Sequence, residues 1–128
     1  MEFSREQLRQ ICHRANDQNQ RDADMAEIAP DVKVSVEQFL AALGQRLRIE
    51  AAYLYGSQAL GSARPWSDID VAVISPDFSD DLFQERIALM QCAAAIDDRI
   101  EPQPFTPERF VPNNPLASEI SRNGVRLI

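Results

Sequence analysis

The sequence is poor in the features that mark disulfide-rich, secreted or membrane-spanning proteins. It has only two cysteines, Cys12 and Cys92, which fall far apart in segments predicted to be helical. Nothing suggests a bridge, and two buried or half-buried thiols in a reducing compartment are expected. No apolar run approaches the ~20 residues needed to cross a bilayer. The opening MEFSREQLRQ lacks the apolar region of a signal peptide. A cytoplasmic protein is therefore expected, with no membrane partner.

Positive charge is also in short supply. The chain carries 13 Lys and Arg against 20 Asp and Glu, for a formal net charge of −7. This deficit argues against non-specific binding to DNA, RNA or anionic membranes, which depends on surplus basic residues. It does not exclude nucleotides, because a bound divalent cation can reverse the sign of a local site. The single histidine, His13, is interpreted as a surface or capping side chain.

What the sequence does have is enough apolar residues for one core. Its 128 residues are 45% apolar, which fits a single folded domain. Capping residues predict helices that begin near Ser4, Ser35 and Ser79, and Asn114 predicts a last helix over 115–123. The helix after Ser79 is expected to bury a stripe formed by Phe83, Ile87, Met90 and Ala94.

Three short runs with strand character lie between these helices, at 49–55, 67–75 and 99–105. Two prolines in the last run, Pro102 and Pro104, favour an edge strand or a strand end. The predicted fold class is α+β, with a small mixed sheet flanked by helices. Residues 1–48 are expected to form a helical N-terminal extension packed on the core, and 49–128 the core itself. The extension is open to two interpretations, a dimer or partner surface and plain core.

The second run contains the acidic pair Asp68 and Asp70. Side chains alternate along a strand, so the two aspartates are expected on one face with Cα atoms roughly 7 Å apart. Such a pair repels itself unless protons or cations intervene. Mg²⁺ takes one or two carboxylates and completes its shell with water and phosphate oxygens. The pair therefore suits one or two divalent ions and a triphosphate, although an isolated Asp-x-Asp usually marks a solvated strand end.

A Gly-Ser pair, Gly56 and Ser57, ends the first strand ten residues before the aspartates. Glycine lets a backbone approach a ligand closely, and a helix starting at Ser57 would favour a phosphate at its N-terminus. Arg64 and Ser67, in the connecting loop, are further candidate nucleotide-binding residues. Trp66 has two interpretations, either flanking a nucleotide base or packing over the loop.

The stretch GSQALGSARPWSDIDVAVIS resembles the signature of the DNA polymerase beta-like nucleotidyltransferase superfamily, and most closely that of the minimal nucleotidyltransferases (MNT proteins). The resemblance implies a sheet of the polymerase beta type. It also implies that the Gly-Ser turn holds a nucleoside triphosphate and that Asp68 and Asp70 bind the catalytic Mg²⁺ ions, two of them in that family. A third carboxylate completes such sites from a later strand.

Glu101, in the third run, is the candidate for that carboxylate, as metal ligand or base; the alternative is a surface glutamate. Asp97 and Asp98, nearer the preceding helix, are expected to face solvent.

The resemblance further implies transfer of a nucleoside monophosphate, AMP from ATP in many such proteins, to a hydroxyl of a partner protein. Many minimal nucleotidyltransferases are antitoxins that act on a HEPN toxin, and this is the leading hypothesis. The alternatives are transfer to a small-molecule hydroxyl and a non-catalytic module that binds nucleotide or a partner. A homo-oligomer is compatible with each.

Overall fold

A computed structural model describes residues 28–128, which form a four-stranded sheet with helices on both faces. The predictions made for Ser4, Cys12 and His13 lie outside these residues. None of the helices within 28–128 is both long and apolar enough to cross a membrane.

Four helices and four strands make up this part of the chain. In chain order they are α1 (Pro30–Gly44), β1 (Ala51–Tyr55), α2 (Ser57–Leu60), β2 (Ile69–Ile74), α3 (Leu82–Ala94), β3 (Ile100–Phe105), α4 (Pro115–Asn123) and β4 (Val125–Arg126). The three predicted strands are present in shortened form. The fourth strand, β4, was not predicted, because two residues are too few to show an alternating pattern.

The sheet has the strand order β3-β2-β1-β4. β1 pairs antiparallel with β2 and β4, whereas β2 and β3 are parallel and are joined by α3. This mixed sheet confirms the predicted α+β class. β3 lies at one edge, where its two prolines remove no hydrogen bond from an inner ladder.

Each face of the sheet packs on its own helical layer. Ile69, Val71 and Val73 of β2 belong to a core shared with α1 and α3. Ala72 and Ile74 face the other way and pack with residues of α4. The alternation of side chains along β2 thus fills two cores. Asp70 is the one charged residue within this strand.

Two helix starts differ from the prediction. α1 begins at Pro30 and not at Ser35, since proline suits the first position of a helix. The Ser35 hydroxyl instead donates to Asp97 Oδ2 at 2.7 Å. α3 is capped by Asp81, which accepts from the backbone N–H of Gln84 at 3.2 Å, and not by Ser79. The last helix is confirmed with its predicted Asn114 cap.

The prediction of which stripe of α3 is buried is wrong. Phe83 is 70% exposed, Met90 is 42% exposed and Ala94 is also exposed, whereas Ile87 is half-buried. The buried residues of the helix are Leu89 and Ala93. α3 carries apolar residues on two sides, and the sheet covers the side of Leu89 and Ala93. The spacing of apolar residues along α3 does not show which of the two sides faces the sheet. The side of Phe83 and Met90 remains an exposed apolar stripe.

Candidate active site

Three polar side chains form a row across the sheet where β1, β2 and β3 meet. Tyr55 is paired in register with Asp70 in β2, and Asp70 with Glu101 in β3. Neighbouring strands lie about 4.8 Å apart, and side chains in register project from the same face. Asp70 therefore stands between a phenol and a second carboxylate.

Asp68 lies just outside this row. β2 begins at Ile69, so the expectation that both aspartates lie within one strand is wrong. Asp68 is exposed, but its charge still acts on Asp70. Burial raises the pKa of Asp70 above its usual value, and the negative charges of Asp68 and Glu101 raise it further. The structure thus brings the three predicted carboxylates into electrostatic reach of one another.

Tyr55 was missed by the sequence reasoning. Burial raises the pKa of its phenol to about 12, and the charge of Asp70 acts in the same direction. The phenol of Tyr55 is therefore neutral at physiological pH. Its position immediately before Gly56, at the end of β1, was the available signal.

The Gly-Ser turn is in direct contact with Asp70. Gly56 has φ 72° and ψ −152°, a conformation that is essentially restricted to glycine. A Cβ at this position would collide with the Asp70 carboxylate. Gly56 also accepts hydrogen bonds from the backbone N–H groups of Ala59 and Leu60, both at 3.1 Å, which start the single turn of α2 at Ser57. Gly56, Ser57 and Asp70 are therefore neighbours.

The loop between α2 and β2 is held by hydrogen bonds within the loop and by hydrogen bonds from Gln58 of α2. The Ser67 hydroxyl accepts from the Arg64 N–H at 2.8 Å, and the Ser67 N–H donates to the Arg64 carbonyl at 2.9 Å. Buried Gln58 directs its amide nitrogen at the carbonyls of Ser67 and Asp68, at 3.5 and 3.4 Å. Gln58 was not predicted as a site residue. Ser67 thus closes the turn that leads to Asp68.

Arg99 fastens the same loop to the rest of the domain. Its guanidinium donates to Asp97 at 2.8 Å, to Asp31 of α1 at 3.0 Å and to the Pro65 carbonyl at 3.1 Å. Asp97 was expected to face solvent, but only 12% of its side chain is exposed. The hydrogen bonds from Arg99 hold the pKa of Asp97 well below its usual range. Asp98 is exposed, as expected.

A cation from α3 reaches the third carboxylate. Arg86 Nη2 lies 3.7 Å from Glu101 Oε2, and their side chains are 46% and 35% exposed. Glu101 is therefore accessible from solvent at the edge of the sheet.

A family model described as "Nucleotidyltransferase domain" matches residues 36–114. The chain belongs to the nucleotidyltransferase domain family. The match spans the Gly-Ser turn, both aspartates and Glu101, and it confirms the resemblance drawn from the sequence. Comparison with curated proteins gives no match.

A nucleotidyltransferase domain acts on a nucleoside triphosphate, and the family generally uses Mg²⁺. Among residues 28–128, no three acidic, histidine or cysteine side chains are close enough to form a compact metal cluster. The donor chemistry nevertheless fits a divalent cation, because carboxylate oxygens are its preferred ligands and Asp70 is opposed by two negative neighbours. That Asp68, Asp70 and Glu101 bind this cation stays a prediction.

Proposed function

We propose that this nucleotidyltransferase domain transfers AMP from ATP to a hydroxyl of a partner protein, with Mg²⁺ as cofactor. The observation that carries the proposal is the contact of Gly56 with Asp70. It sets a turn suited to phosphate beside the carboxylates suited to Mg²⁺, which is the arrangement that nucleotidyl transfer requires.

In this proposal, Asp68, Asp70 and Glu101 hold one or two Mg²⁺ ions. Bound Mg²⁺ would supply positive charge to the triphosphate and to the attacking and leaving oxygens. Ser57, at the start of α2, and Arg64, in the loop, bind the β- and γ-phosphates. The Ser67 hydroxyl contributes indirectly, through the turn that it closes with Arg64.

The transfer step forms one bond and breaks one. The acceptor hydroxyl oxygen bonds to the α-phosphorus while the bond from that phosphorus to the α,β-bridging oxygen breaks, and pyrophosphate leaves. Glu101 accepts the hydroxyl proton, since it is a carboxylate at the accessible edge of the row. The neutral phenol of Tyr55, beside Asp70, is available as a hydrogen-bond donor.

A protein acceptor is supported by the exposed apolar stripe of α3. Phe83 and Met90 are 70% and 42% exposed, and exposed apolar patches commonly mark interaction surfaces. Arg86, on the same helix, contacts Glu101, so the stripe is continuous with the candidate site. The resemblance to minimal nucleotidyltransferases favours a HEPN-type toxin as the acceptor, with this chain as its antitoxin.

The test is a labelling reaction with the full chain, Mg²⁺ and the protein encoded by the neighbouring gene. Label from α-³²P-ATP should appear on that protein, whereas γ-³²P-ATP should give none. Asp70→Asn should abolish labelling. Phe83→Ser with Met90→Ser should lower it about tenfold, in line with the loss of interface anchors.

The matched control is Val111→Ser with Leu116→Ser, which removes two apolar side chains of 38% and 37% exposure elsewhere on the surface. This pair should label its partner normally. Label on a small hydroxyl compound would show that the acceptor is a small molecule and not a protein. Nucleotide binding without any labelled product would indicate a non-catalytic module.

A further inference from the structure

Trp66 has the most exposed large apolar side chain in residues 28–128, at 72%, and is the only tryptophan of the whole chain. The sequence left two interpretations, stacking on a nucleotide base and packing over its own loop. An indole that is 72% exposed buries little of its surface, so packing over its own loop accounts for only a small part of the ring. The exposed ring therefore needs another explanation.

The backbone on both sides of Trp66 is fixed although its ring is open. The preceding carbonyl, that of Pro65, accepts from Arg99 at 3.1 Å. The following carbonyl, that of Ser67, accepts from buried Gln58 at 3.5 Å. Ser67 also exchanges two hydrogen bonds with Arg64 across the turn. The indole is thus presented by an anchored turn, which keeps the entropic cost of binding a ligand on its face low.

The loop that carries Trp66 is hydrogen-bonded to α2, the helix that follows the Gly-Ser turn. Gln58 follows Ser57 in α2 and donates to the Asp68 carbonyl at 3.4 Å as well as to that of Ser67. Trp66 lies two residues before Asp68. The Arg64 guanidinium lies 5.9 Å from the indole centroid, over one face of the ring.

We propose that Trp66 is the base-stacking residue of this domain, with the nucleobase lying on its indole while the triphosphate occupies the Gly56-Ser57 turn. This inference rests on the proposed function and adds a contact that the Gly-Ser and Asp-x-Asp pattern does not specify. Every base offers a π face, so the stack strengthens binding without selecting the base. The Arg64 guanidinium, 5.9 Å from the indole centroid, would lie on the face of the ring that the base leaves open.

The test compares two probes on the full chain with Mg²⁺, a non-hydrolysable ATP analogue and inorganic tripolyphosphate, which lacks a base. Calorimetry should show that Trp66→Ala weakens analogue binding roughly tenfold. Trp66→Phe should bind nearly as tightly as the unchanged protein. Tripolyphosphate should bind all three proteins equally. Val111→Ala, which removes another exposed apolar side chain at a position outside the candidate site, is the matched control and should bind both probes normally.

Tryptophan fluorescence gives a second readout, because Trp66 is the only source of the signal. The analogue should quench it and tripolyphosphate should not. Equal analogue affinity in Trp66→Ala and the unchanged protein would overturn the stack and leave the proposed function standing. Equal weakening of both probes would also overturn it, since that outcome indicates a loop-folding role. Failure of the unchanged protein to bind either probe would overturn both the stack and the proposed function.

Discussion

Gly56 and Asp70 show at the scale of single residues how the site constrains the chain. Both were predicted from the sequence, Gly56 as part of a phosphate turn and Asp70 as a metal ligand. Their contact was not predictable, because it depends on the antiparallel register of β1 and β2, which sets Tyr55 opposite Asp70. That register leaves no room for a side chain at residue 56.

Gly56→Ala should therefore damage both stability and binding. The new methyl group would meet the Asp70 carboxylate in a backbone conformation that alanine rarely adopts, at a cost of about 2 kcal/mol. Urea unfolding measures the first effect, and nucleotide titration with Mg²⁺ the second. Gly61→Asn is the control: Gly61 has φ 76° and ψ 13°, where asparagine is tolerated. Equal stability of the two variants would refute the steric explanation.

The Asp70 carboxylate, which is proposed to bind Mg²⁺, should lower the stability of the folded domain. Its pKa is raised by burial and by the charges of Asp68 and Glu101, so ionisation of Asp70 disfavours the folded state. Stability contributed by the protonated form is present at low pH and is lost as the pH rises through the raised pKa. Without Mg²⁺ at pH 7, Asp70→Asn should melt at a higher temperature than the unchanged protein.

The difference in melting temperature should shrink as the pH falls and Asp70 becomes protonated. Exposed Asp98 supplies the control, since Asp98→Asn should leave the melting temperature nearly unchanged at every pH. A lower melting temperature for Asp70→Asn at pH 7 would show that the carboxylate stabilises the fold.

At the scale of elements, sequence patterns located helices better than they located helix faces. α4 was predicted with its cap because Asn114, Pro115 and Gly124 mark both ends locally. The buried side of α3 was not, because two apolar stripes compete and only the sheet decides between them. The burial of Asp97 was also not predictable. Arg99, its partner, is held in place partly by Asp31, which is distant in sequence.

Arg99 should therefore be a stabilising link between α1, the loop before β2, and β3. Arg99→Ala removes hydrogen bonds to two carboxylates and to the Pro65 carbonyl, and should cost about 2 kcal/mol of unfolding free energy. Because the pKa of Asp97 is lowered in the folded state, this contribution is present at neutral pH and fades only in acid.

The exposed pair of Arg48 with Asp77, at 3.3 Å, is the matched control for Arg99. Arg48→Ala should leave the free energy of unfolding nearly unchanged, because exposed ion pairs contribute little. Urea denaturation of both variants decides the point, and equal losses would mean that the Arg99 contacts are no stronger than a surface pair.

At the scale of the whole molecule, an acidic domain is proposed to bind an acidic substrate. The net charge of −7 would repel a triphosphate, and the carboxylate row would repel it locally. Divalent cations resolve this conflict, since they bind the carboxylates and the phosphates together. Nucleotide binding is therefore expected to depend strictly on Mg²⁺.

The division of the chain into an extension over 1–48 and a core over 49–128 stays a prediction.

Calorimetric titration of the full chain with a non-hydrolysable ATP analogue, with and without Mg²⁺, tests the central claim most directly. We predict saturable binding that requires Mg²⁺ and is abolished by Asp68→Asn with Asp70→Asn. The control, Asp98→Asn with Glu108→Gln, also removes two negative charges, but from exposed positions outside the site, and should bind the analogue normally. Undiminished binding by the Asp68→Asn, Asp70→Asn variant would contradict the claim that these carboxylates and the Gly-Ser turn form the nucleotide site.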